Sequence, residues 1–109
     1  MSLSTWFSGL FSQRGKAAAL YQSGMKKAHA QDLAGAIADY TAVVDNSESP
    51  HDLKAMALFN RALVYSLQKK SDEAKVDLEG VLAIPQAPTN LKDAALQRIE
   101  RIRKRTSDA

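Results

Sequence analysis

Cysteine is absent from this 109-residue chain, which excludes disulfides, thiolate nucleophiles and cysteine-ligated zinc together, and leaves the redox compartment open. Proline occurs three times and glycine five, too few to punctuate a turn-rich β architecture. The Ala, Leu, Lys and Gln that fill their place favour helix by intrinsic propensity. Long apolar runs are also missing; none approaches the roughly 20 residues that a membrane-spanning helix needs. The opening residues, Met1-Ser2-Leu3-Ser4-Thr5-Trp6, carry no basic charge before their apolar positions, unlike a secretory leader, so a cytoplasmic location is expected.

What is present fits one helical domain. Apolar residues make up 45% and charged residues 25% of the chain, a composition that supports a single modest core. The formal charge of +3 is laid out unevenly. Residues 1–30 carry four basic and no acidic side chains, residues 31–90 five against nine, and residues 91–109 six against three. Basic ends and an acidic middle read as solvated faces, whose fields are screened within about 8 Å in physiological salt. Head-to-tail contact between chains is the alternative, and makes a homo-oligomer an open partner.

Periodicity and caps predict five helices, at 16–30, 33–46, 50–69, 72–84 and 90–105, with a short sixth at 4–13. Asp32 is the expected N-cap of the second, whose Ile37, Tyr40, Val43 and Val44 fall at helical spacing. Ser49-Pro50 supplies a cap oxygen and a first-turn proline for the third, and Ser71-Asp72-Glu73 opens the fourth in the same way. Pro85-Gln86-Ala87-Pro88 stops it, and Thr89 or Asn90 caps the last helix, which carries Leu91, Ala95, Leu96, Ile99 and Ile102 on one side. Two antiparallel hairpins and a closing helix follow, with residues 1–14 as a separate apolar segment and 15–109 as the domain.

Catalytic constellations are not evident. Gly9 through Gly15-Lys16 imitates a phosphate-binding loop, but five residues separate the glycines instead of four, and Ala17 replaces the magnesium-binding Ser or Thr. His29 and His51 sit at ends of different helices without the spacing of a metal pair. Asp72, Glu73, Asp77 and Glu79 fit a solvated face and compensation of the helix dipole. No enzyme activity, cofactor or metal is expected.

The chain repeats itself. Leu20-Tyr21-x-x-Gly24 with Ala36-Ile37-x-x-Tyr40 returns as Leu58-Phe59-x-x-Ala62 with Ala74-x-x-x-Leu78, and each small residue precedes its alanine by twelve positions. A helical hairpin of this kind cannot bury its apolar face alone and stacks on a neighbour. Across residues 17–84 these positions, together with Asn60-Arg61-Ala62-Leu63-Val64-Tyr65 and Ala36-Ile37-Ala38-Asp39-Tyr40-Thr41, resemble the tetratricopeptide repeat family. The copies lie 38 residues apart (Ala36 to Ala74), where the family repeats at about 34, and the loop Asn46-Ser47-Glu48-Ser49 accommodates the excess. Ser23, Lys27 and Lys75 are polar where the pattern favours large apolar residues.

The resemblance implies an α-solenoid fragment that holds a partner helix or extended peptide against a concave face. Its groove positions fall on Ala18, Tyr21, Gln22, Met25 and His29, then on Met56, Phe59, Asn60, Leu63 and Leu67. Tyr21, Met25, Met56, Phe59, Asn60 and Leu63 are the expected partner-binding residues. Members that clamp a C-terminal carboxylate place Lys and Asn where this chain has Tyr21 and Met25; with Asn60 alone matching, that ligand is not expected.

Two further surfaces bear on partners. Trp6, Phe7, Leu10 and Phe11 would form an apolar ridge on a helix, followed by Arg14 and Lys16. It could pack on the first hairpin, dock on a second copy, or lie at a membrane surface. Arg98, Arg101, Arg103, Lys104 and Arg105 could contact phosphates by counterion release, but no aromatic interleaves them to stack bases, and cations suit a helix C-terminus. The expectation is therefore an all-α, non-catalytic interaction module, with a membrane-surface adaptor as the alternative and a nucleic-acid binder as a less favoured one.

Overall fold

The computed structural model describes residues 12–108, and every regular element within them is an α-helix: α1 (Gln13–His29), α2 (Leu33–Asp45), α3 (His51–Leu67), α4 (Ser71–Ala83) and α5 (Thr89–Asp108). None is long and apolar enough to cross a membrane. Trp6, Phe7, Leu10 and Phe11 lie outside the described residues, as does most of the expected helix at 4–13. Its last two positions do not continue such a helix: Ser12 is extended (φ −61°, ψ 160°) and its hydroxyl accepts from the Gly15 N–H, so a helix begins at Gln13.

The loops are short, and several helix ends are closed by hydrogen bonds. Asp32 caps α2 as expected, accepting from Gly35 N at 3.0 Å. The two expected serine caps are not formed. Pro50 takes the cap position of α3, and Ser49 is buried with its hydroxyl unpartnered. Lys70 precedes α4, leaving Ser71 as its first helical residue without a side-chain cap. Nor does Thr89 or Asn90 begin α5 from outside; Thr89 is already helical, and Pro88 O accepts from Lys92 N.

The C-termini of α1 and α3 share one solution. Gln31 (φ 66°) and Lys69 (φ 61°) are left-handed. Asp32 N donates to Lys27 O and Gln31 N to Ala28 O; Lys70 N donates to Tyr65 O and Lys69 N to Ser66 O. Both pairs are the six-to-one and five-to-two bonds of a Schellman ending.

Each helix packs on its chain neighbours, and α1 with α3 and α3 with α5 also touch. The α1–α2 pair is antiparallel: Asn46 reaches Gln13 at one end, and Lys27 Nζ lies 3.1 Å from Asp39 Oδ2 toward the other. Helices α1 and α3 run in the same direction, with Arg14 paired to Asp52 and Tyr21 to Asn60, offsets of 38 and 39 residues. Since α2 and α4 do not meet while α3 touches both α1 and α5, the odd-numbered helices form the closer-packed, inner side of the layer.

Two cores result, and α3 belongs to both. Leu53, Ala57 and Val64 join Ala17, Ala36, Tyr40 and Val43. Ala55, Leu58 and Ala62 join Leu78, Val81, Ile99 and others from α4 and α5. Burial recurs at the repeat spacing: Ala17 and Ala55, Gly24 and Ala62, Ala36 and Ala74, Tyr40 and Leu78, Val43 and Val81 are all buried. Within α1–α2 the polar exceptions have partners, since the Ser23 hydroxyl and Lys27 hold the Asp39 carboxyl below the usual carboxylate range against the opposing effect of burial.

Arg61 ties three helices together. Its guanidinium makes two 2.7 Å bonds to the Asp77 carboxylate of α4 and a 2.9 Å bond to Thr41 Oγ1 of α2. Both members of the ion pair are largely buried.

Candidate functional site

The inner face is built from residues of α3 that point away from Arg61, together with the facing sides of α1 and α5. Tyr21, Met25, Met56, Phe59, Asn60 and Leu63 are all half-buried there. Inward, Tyr21, Met25 and Met56 pack on the first core and Phe59 on the second. Their remaining surface lines two adjoining depressions. Tyr21, Met56, Phe59 and Asn60 bound one of about 340 Å³, closed on the far side by Pro88, Asn90 and Leu91 at the start of α5. Met25, Asn60 and Leu63 bound the next, of about 290 Å³, with His29, Leu67 and Tyr40.

Asn60 is the hinge between the two. Its amide donates to the Tyr21 hydroxyl across the α1–α3 seam. Burial pushes the Tyr21 phenol up from its ordinary value, and the Asn60 hydrogen bond pulls it partly back. The Tyr21 ring lies 5.9 Å, centroid to centroid, from that of Tyr40 beneath it, and the two are tilted by 48°. Tyr40 is almost fully enclosed, and burial foremost, with the adjacent Tyr21 and Asp39, pushes its phenol up to about 12. The lining of these depressions is aliphatic, aromatic and amide, a chemistry for receiving apolar side chains and fixing them with a few hydrogen bonds. Among the described residues no group of three His, Cys, Asp or Glu side chains could hold a metal ion.

The face extends further than the repeat positions predict. Helix α5 contributes Asn90 and Leu91 to one depression. It also forms a third, of about 410 Å³, with Leu63, Leu67, Ile102 and the arginines 98, 101 and 105. In the sequence Arg98, Arg101, Arg103, Lys104 and Arg105 form one basic run. The fold divides it: Arg98, Arg101 and Arg105 occupy one stripe along the groove, while Arg103 turns to Glu100 at 3.1 Å. The spacing of three and four residues carried that signal. Comparison with protein-family models, with curated proteins and with solved structures gives no match.

Proposed function

We propose that this chain is a tetratricopeptide-like, non-catalytic interaction module that holds a helix or extended peptide of a partner protein on the face formed by α1, α3 and α5. The observation that carries the reading is recurrence: buried positions and Schellman endings return after 38 residues, and α1 lies against α3 at offsets of 38 and 39. The tetratricopeptide resemblance implies that the first helix of each unit lines the concave side, the surface on which stacked repeats bind. Tyr21, Met25, Met56, Phe59, Asn60 and Leu63 are the binding residues in this proposal, the aromatic and methionine side chains supplying adaptable apolar contact.

Capture of partners by the immobilised full chain from its native cell extract, compared with Phe59→Ala and Tyr21→Ala, tests the assignment. Both variants are expected to lose the captured protein while retaining helical circular dichroism and a cooperative melt. Retention of the partner by both, or loss of cooperative unfolding in either, would count against a groove role.

A further inference from the structure

Three large apolar side chains stand out in solvent among the described residues: Leu67 and Val76, each 66% exposed, and Leu96, 50% exposed. The first two are ringed by charges of opposite sign. Leu67 adjoins Leu63 and Ile102 in the depression lined by Arg98, Arg101 and Arg105, and none of these arginines pairs with a carboxylate among the described side chains. Val76 stands on α4 with Asp72 and Glu73 one turn before it, beside a depression of about 300 Å³ backed by Arg61 and Tyr65. Asp77 there is already engaged by Arg61, whereas Asp72 and Glu73 are exposed and unpaired among the described side chains. Lys75 is the cation next to Val76, and the exposed Glu79 one turn further on restores the negative sign.

The two patches cannot meet within one molecule. Arg61 and Tyr65 back the acidic patch, and Leu63 and Leu67 line the basic one. Two residues along a helix are about 200° apart in direction, so the patches occupy opposite faces of α3. We propose that they form a head-to-tail interface between copies of this chain. Val76 of one copy enters the depression at Leu67 of the next, and Asp72 and Glu73 meet Arg98, Arg101 and Arg105. Joining two different patches is heterologous, so assembly propagates or closes as a ring and does not stop at a two-fold dimer. With a few apolar side chains at its centre and a charged rim, the contact is expected to be concentration- and salt-dependent.

Sedimentation velocity on the full chain tests this with two charge-reversed variants, Arg98→Glu with Arg101→Glu, and Asp72→Lys with Glu73→Lys, each checked for helicity. The wild type is expected to gain average mass with concentration in low salt and to lose that gain in high salt. Either variant alone should associate about tenfold or more weakly, because like charges then face each other. An equimolar mixture should associate again, since each variant keeps one native face. Val76→Ser, which leaves the charge unchanged, should weaken association as well. A wild type whose mass is independent of concentration, single variants that assemble as well as the wild type, or a mixture that stays monomeric would each overturn the proposal.

Discussion

Gly24 and Gly80 both lie inside helices, where replacement by alanine ordinarily adds about 0.5–1 kcal/mol of stability. Their neighbours set opposite outcomes. A Cβ at Gly24 would lie 2.6 Å from Cε1 of the enclosed Tyr40 ring, whereas one at Gly80 would lie 3.2 Å from a Leu58 methyl that can rotate aside. Thermal or denaturant unfolding should show Gly24→Ala destabilised by about 1–2 kcal/mol through overpacking, and Gly80→Ala neutral or stabilised by up to about 0.5 kcal/mol. The need for a small residue at 24 was legible from its recurrence as Ala62, but its partner was not, because spacing alone does not say which side chain crosses the seam. Tyr40 itself gives an alkaline prediction. Its folded pKa, about 12, is above the unfolded value near 10, so its contribution is intact below about pH 10 and is lost as pH rises toward 12. Absorbance titration should show Tyr40 ionising last, and Tyr40→Phe should flatten the alkaline fall in stability.

Helix ends decide the next scale. Gln31 and Lys69 hold left-handed backbone, which costs an L-residue about 1–2 kcal/mol and glycine little. Gln31→Gly and Lys69→Gly should each raise stability by about 0.5–1 kcal/mol in denaturant unfolding, after allowing for glycine's greater unfolded entropy. Neither ending could be read in the sequence, since glycine, the usual sign of such a cap, is missing from both. The N-termini were legible where one side chain sufficed, as at Asp32, and misread where a proline carbonyl or a bare backbone start replaced it, as before α3, α4 and α5. Periodicity and caps located the five helices of the described residues, because burial follows spacing. Between helices, Asp77→Ala should cost about 3–5 kcal/mol, as it strands the Arg61 charge in a largely enclosed position. Replacing both with apolar residues of similar volume should cost less, and a double-mutant cycle separates the two effects.

At the scale of the whole molecule, sharing α3 between two cores makes one cooperative unit of two hairpins. Leu78→Ala, at a fully buried position of the second core, should cost about 2–5 kcal/mol. Hydrogen exchange should then show the first core losing protection along with the second, while independent loss would show two separate units. The pairing of α1 with α3 at offsets of 38 and 39 residues was legible in the 38-residue spacing of the sequence. The spacing of Arg98, Arg101 and Arg105 was legible, but the surface that stripe faces was not, because the orientation of α5 is set by packing of Ile99 and Ile102 on the second core. The sharing of α3 also has a consequence for synthesis. Every helix touches only its first or second neighbour in the chain, so ordering needs only short loop closures and proceeds quickly, as low contact order allows. A nascent chain with only α1 and α2 outside the ribosome lacks Leu53, Ala57 and Val64 to seal its core. Stable folding is therefore expected only once α5 has emerged, because until then the second face of α3, with Ala55, Leu58 and Ala62, lacks its cover.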